Sequence, residues 1–136
     1  MVGFTTQQAA RFSQLTLRQV NYFDTTKLLS PSMQIAKGKG SRRLYSFRDV
    51  VALRLIAKLR SQGLSLQSVR KAIAYLRNLG QDDLSRVVFA INGDDVVLVE
   101  PDRLAVSLVE QPGQLCFLIG IGGITQEVEA AIRQVG

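Results

Sequence analysis

Two clusters of polar and basic side chains stand out by type and spacing. Arg18, Gln19, Asn21, Tyr22 and Lys27 fall within ten residues, and Lys37, Lys39, Arg42, Arg43, Tyr45 and Arg48 within twelve more a little further on. Guanidinium and ammonium groups neutralise phosphate oxygens, while the amides of Gln and Asn match the donor and acceptor edges of bases. The densest part, GSRRLYSFRD from Gly40 to Asp49, places two arginines in a glycine-flanked stretch just before a helix cap. Alone, such a loop would be a solvated basic patch; beside a second cluster of groove-type side chains it suits a polyanion.

Other chemistries lack their groups. The chain has no histidine and a single cysteine, Cys116, so the usual zinc, haem and copper ligand sets, an internal disulfide, and Ser-His-Asp or Cys-His catalysis are all excluded. No paired carboxylates replace them, and the expectation is a protein that is not an enzyme and takes no cofactor. GKGS at 38–41 lacks the spacing of a phosphate loop, since position 33 is Met, and GIGG at 120–123 lacks the third spaced glycine of a dinucleotide site. The latter reads as a turn after a strand. Cys116, within an apolar run, reads as core.

The net charge of +6 over 136 residues conceals a split. Residues 1–80 carry fourteen Lys or Arg against two acids, Asp24 and Asp49, whereas residues 81–136 carry three arginines against nine acids. A basic part that faces a polyanion and an acidic part with another task imply two domains, 1–80 and 81–136. With 46% hydrophobic residues but no apolar run approaching membrane-spanning length, a cytoplasmic protein without membrane contact is expected.

Periodicity supplies the elements that hold the clusters. Thr5 with Gln8 is a capping-box pattern, and Ala9, Ala10 and Phe12 give a short helix its apolar face until Ser13 and Gln14 break it. From Thr16 a second helix turns Leu17, Val20, Phe23 and Leu28 inward and the first cluster outward, making a helix-turn-helix. MQIAKGKGSRRLY then reads as a hairpin, a basic wing. Ser46 with Asp49 caps a third helix, in which Val50, Leu53, Ile56, Ala57 and Arg60 follow helical spacing up to Gln62-Gly63. Ser65 caps a fourth, with Leu66, Val69, Ile73 and Leu76 inward, up to Leu79-Gly80. Beyond it, RVVFAINGDDVVLVE is a hairpin around Asn92-Gly93, QLCFLIG a buried strand, and a last helix starts at Thr125. The fold class is α+β: a winged helix-turn-helix of four helices, then a small β-rich domain ending in a helix.

This order, with RQVNYF (18–23), LLSPS (28–32), GSRRLYSFRDVVALRLI (40–56) and GLSLQSVRKA (63–72), resembles the MerR family of bacterial transcription regulators. DDLSRVVFAINGDDVV and PGQLCFLIGIGGITQEVEAAI extend the likeness to its FtsR-like branch. The resemblance implies a homodimer on a partly palindromic operator in double-stranded DNA, often within a promoter that RNA polymerase then uses. It places Arg18, Asn21, Tyr22 and Lys27 on the recognition helix and Arg42, Arg43 and Tyr45 on the wing. Asn21 and Gln19 stand where the family's TLRYY motif has arginine and threonine. In place of the family's long dimerising coiled coil, Gly80 and a β-rich segment follow the fourth helix, which moves the expected dimer contact to the carboxy-terminal sheet.

The resulting expectation is a sequence-specific DNA-binding regulator. Arg18, Gln19 and Asn21 approach bases, while Tyr22, Lys27, Lys37, Lys39, Arg42, Arg43 and Arg48 hold phosphate. The alternative is an antitoxin-like protein that binds DNA and inhibits a partner nuclease through its acidic carboxy-terminal domain.

Overall fold

The computed structural model describes residues 3–33, 43–80, 86–92, 95–99 and 117–135. Five helices and three strands follow in the order α1 (Thr6–Ser13), α2 (Leu17–Thr25), α3 (Phe47–Ser61), α4 (Leu66–Arg77), β1 (Val88–Asn92), β2 (Asp95–Val99), β3 (Phe117–Gly120) and α5 (Ile121–Val135). They form two compact units, one of Met1–Lys58 with Val128–Gly136 and one of Leu59–Glu127.

In the first unit both short helices start on complete capping boxes. Thr5 Oγ1 accepts the Gln8 N–H and Gln8 Oε1 the Thr5 N–H; Thr16 and Gln19 repeat the arrangement on α2. Each box satisfies two N–H groups that the helix start would otherwise leave open. α1 ends where Gln14 turns into the left-handed region (φ 62°), and Ser13 Oγ donates back to the Ala9 carbonyl at 2.6 Å. Ala9, Ala10 and Phe12 face Val20 and Phe23 in one core, and Phe4 meets Phe12 edge-on at 5.7 Å between centroids.

α3 departs from the single stripe that its spacing suggests. Val50, Val51, Ala52, Leu53, Leu55 and Ile56 are all buried, so the helix is enclosed on most of its circumference. Its start is held by Asp49, whose Oδ2 accepts the Ser46 N–H at 2.9 Å while the Asp49 N–H donates to Ser46 Oγ at 3.0 Å. The same carboxylate oxygen accepts the Ser32 N–H at 2.9 Å and Ser32 Oγ at 2.6 Å, which fastens the LLSPS segment to the start of α3.

Two strand-like contacts form the base of the expected wing. Phe4 and Tyr45 exchange both backbone hydrogen bonds, at 2.8 and 2.7 Å, and the Met33 N–H donates to the Leu44 carbonyl at 3.1 Å. A Cβ on Gly3 at this junction would lie 3.2 Å from Leu44 Cβ and 3.3 Å from Met33 Sδ, so a side chain there fits only if these neighbours shift by a few tenths of an ångström. The hairpin tip expected at 37–41 lies outside the described residues.

In the second unit Gly63 adopts φ +82°, the left-handed stop expected after the third helix, and Ser65 Oγ accepts the Ser68 N–H to open α4. Val69, Ala72, Ile73 and Leu76 form its buried face. The sheet is antiparallel throughout, with strand order β2-β1-β3. Phe89, Ile91 and Val96 are buried, and Tyr75 of α4 lies against Phe89 at 6.3 Å between centroids. The register of β1 with β2 closes on Asn92↔Asp95, and Gly93 of the expected Asn92-Gly93 turn lies outside the described residues.

Three expectations are corrected. Leu17 and Leu66 are exposed, at 43% and 39%, rather than inward. Each is the first residue after its cap, and because Cα–Cβ bonds tilt toward the helix start, such a side chain leans off the end of its helix rather than onto the core. The third strand is not wholly buried, as Leu118 is 44% exposed. The last helix begins at Ile121, not Thr125. Ile121, Ile124 and Val128 supply a buried stripe from that point, and Thr125 is bonded back to the Ile121 carbonyl at 2.9 Å, so Gly122 and Gly123 lie in the first turn of a helix rather than in a turn after a strand. Cys116 lies outside the described residues.

Candidate nucleic-acid interface

Amphipathicity sorts the side chains of α2. Val20 and Phe23 anchor it in the core, and this leaves Arg18, Gln19 and Tyr22 exposed, Tyr22 at 55%, with Asn21 half-buried between them. Arg18 and Tyr22 are four residues apart and so share one face. Past the helix, Lys27 is exposed at φ 64°, a turn that sends the chain inward to the buried Leu28 and Leu29.

Arg43, at the foot of the wing, reaches Asp24 on α2 at 3.4 Å. That ion pair brings the wing base and α2 together, and Arg43 remains exposed alongside Asp24. Arg48 is half-buried in the first turn of α3. Lys37, Lys39 and Arg42 lie outside the described residues.

Tyr45 is not at this surface. It is fully buried, paired through its backbone with Phe4, and among the described residues its hydroxyl has no hydrogen-bond partner. Burial above all, and then the negative charge of Asp24, push its phenol pKa up to about 12; Arg43 opposes this, Asp49 adds to it, and Thr6 opposes it least. A side chain so enclosed cannot meet phosphate, and the sequence-based placement of Tyr45 on the wing surface is corrected accordingly. Alternating with Leu44 and Ser46 on an extended segment, it takes the inward position.

Further contacts were not read from the sequence. Arg54 of α3 donates to Gln14 Oε1 at 2.9 Å and so braces the turn between α1 and α2. A separation of forty positions leaves no local pattern to announce it. Asp24 and Asp49 did carry a signal, as the two acids of a strongly basic eighty-residue stretch, and each ties together segments distant in sequence.

The fold and its exposed basic face define a helix-turn-helix protein with a wing base beside the second helix. Residues 4–76 match the family described as MerR HTH family regulatory protein, and the chain belongs to that family. Over 132 residues it is 34% identical to an uncharacterized HTH-type transcriptional regulator of Mycobacterium tuberculosis (strain ATCC 25618 / H37Rv) and, equally, to one of Mycobacterium bovis, covering 97% of this chain and 58% of each relative. The chain thus spans a little over half the length of these curated relatives. The HTH-type transcriptional regulator GlnR of Bacillus cereus is 36% identical over 66 residues, 48% of each chain. The crystal structure of a MerR family transcriptional regulator from Bacillus cereus aligns over 99% of this chain and 100% of its own, with 16% identity and a TM-score of 0.46; so distant a likeness carries no argument about function.

Proposed function

We propose that the protein is a sequence-specific DNA-binding transcription regulator that engages a partly palindromic operator as a dimer, with α2 in the major groove and the wing on the flanking backbone. The observation that carries this reading is the pairing of Arg43 with Asp24, which joins the wing base to a recognition helix whose exposed face offers Arg18, Gln19 and Tyr22. Membership of the MerR HTH family supports it, and so do relatives named as HTH-type transcriptional regulators. In this reading residues 1–80 are the DNA-binding domain, Arg18, Gln19 and Asn21 approach bases, and Tyr22, Lys27, Lys37, Lys39, Arg42, Arg43 and Arg48 hold phosphate. Residues 81–136 supply the contact with the second copy, through the outer face of the sheet where Val97, Ala90 and Leu118 align across the three strands. Action at promoters with RNA polymerase, a cytoplasmic location and closeness to the FtsR-like branch belong to the same proposal. Among the described residues no helix is long and apolar enough to cross a membrane.

Selection from a random duplex pool tests the reading. A two-fold consensus with half-sites about one helical turn apart, roughly 34–36 Å, bound on the order of 10³-fold over scrambled duplex, is the expected result. Enrichment of no sequence, with binding that collapses steeply with salt, would reduce the interaction to phosphate attraction and overturn the reading.

A further inference from the structure

Helical period turns one face of α4 outward, and its make-up differs from that of a helix that meets only water. Val69, Ala72, Ile73 and Leu76 are buried, while Gln67, Arg70, Lys71, Ala74, Arg77 and Asn78 are exposed. The helix, LQSVRKAIAYLR, holds three cations and no acid. Solvated helices commonly interleave both signs at three- and four-residue spacing. α5 does so, with Arg133 lying 3.9 Å from Glu129 one turn away. Nothing on α4 itself offsets its positive charge.

On a helix surface the neighbours of a residue stand three and four places away. For Ala74 these are Arg70, Lys71, Arg77 and Asn78, all exposed. Ala74 ends at its Cβ, so it forms an apolar floor among four longer polar side chains, three of them cationic. Arg70 and Arg77 stand seven residues apart, about 10.5 Å along the axis. Two large apolar side chains flank the same face, Leu66 at 39% and Tyr75 at 40% exposure. Phosphate would satisfy the cations and leave the floor and the apolar flanks uncovered. A polypeptide brings carboxylates and aliphatic side chains together, and Arg and Tyr are residue types that protein interfaces favour. We propose that the outer face of α4 docks an acidic amphipathic segment of another protein, with an apolar side chain seated on Ala74 and carboxylates on Arg70, Lys71 and Arg77. None of the residues assigned to DNA above lies on α4, and the docking does not rest on that assignment.

Ala74→Gln is the direct test, since it fills the floor, suits an exposed helical position and leaves the charge unchanged. Peptides would be selected from a random display library on the full chain. The enriched peptides would then be titrated against the wild type, Ala74→Gln and the double variant Arg70→Gln/Arg77→Gln, with helical content and thermal midpoint measured for each. The expected peptides carry Asp or Glu on either side of an apolar residue, and each variant weakens their binding by roughly ten-fold or more. A poly-glutamate peptide of equal length binds more weakly and responds to the arginine substitutions alone. Because Ala74→Gln alters no charge, its binding of mixed-sequence duplex DNA stays within about two-fold of wild type. Enrichment of no peptide of this composition, or peptides that bind the folded variants as tightly as the wild type, would overturn the proposal. So would loss of duplex binding in Ala74→Gln, which would give the face to DNA, or self-association of the wild type that Ala74→Gln abolishes, which would give it to a second copy.

Discussion

At the scale of single residues, Tyr45 and Asp24 separate packing from recognition. Among the described residues the buried hydroxyl of Tyr45 has no hydrogen-bond partner. Tyr45→Phe is therefore expected to leave DNA binding unchanged and to hold or raise stability at neutral pH by up to about 1 kcal/mol, since a desolvated polar group is removed with the ring kept. In the unfolded chain the phenol ionises near pH 10, whereas in the folded chain it resists ionisation to about 12. The folded state thus binds the more protons above pH 10, so the stability Tyr45 contributes is complete below pH 10 and is lost as the pH rises to 12. Urea unfolding at pH 7 and pH 11 should show an alkaline loss in the wild type that is smaller in Tyr45→Phe; identical pH dependence would contradict the assigned burial. Asp24→Asn removes the counter-charge of Arg43. Because Arg43 is exposed, the cost in stability should be within about 1 kcal/mol, while binding to unrelated duplex strengthens and its salt dependence steepens by up to about 0.9 per phosphate newly neutralised. Anisotropy titrations across salt concentrations would detect this, and an unchanged slope would show that the ion pair does not restrain Arg43.

At the scale of elements, the helix starts are the parts most exposed to single changes. Thr16→Ala deletes the Oγ1 acceptor of the α2 cap and should cost about 1 kcal/mol. Its effect on the consensus duplex should exceed that on scrambled duplex, because a frayed first turn misplaces Arg18 and Gln19 while backbone attraction persists. Equal losses on both would place recognition elsewhere. Capping pairs lie three residues apart, and for that reason the starts of α1, α2, α3 and α4 were legible in the sequence, as were the stop at Gly63 and the strands of the sheet. What was not legible depended on partners far along the chain. α3 shows no stripe because Val51, Ala52 and Leu55 find cover as Val50 and Leu53 do, and only the assembled unit provides it. Leu17 and Leu66 kept the period of their helices but stood one turn beyond the cover, and Tyr45 belonged to an extended pair with Phe4 forty-one positions earlier. In the candidate interface, the exposure of Arg18, Gln19 and Tyr22 followed from period alone, whereas the Arg43–Asp24 contact required the wing base to be folded back.

At the scale of the molecule, the proposed dimer rests on the outer face of the sheet. Val97 and Leu118, 54% and 44% exposed, both lie opposite Ala90 in the register and so flank it on neighbouring strands. A combined Val97→Lys and Leu118→Lys variant should sediment as a monomer at micromolar concentration, with the wild type a dimer, and should lose the two-fold consensus while it retains weak half-site binding. A monomeric wild type, unchanged by operator duplex, would remove this face from consideration.

The division of the chain into its two units bears on how the protein comes into being. The first unit comprises Met1–Lys58 together with Val128–Gly136, so it is closed by residues translated only after the whole sheet has been made. A ribosome that has delivered α1, α2 and the wing has not yet delivered the segment that finishes the body to which they belong. A prematurely terminated chain would carry every residue assigned to the DNA surface and still lack part of the unit that supports it. A chain that stops before residue 128 thus lacks part of the body to which α1 and α2 belong, so completion of this unit depends on synthesis that continues through residues 128–136.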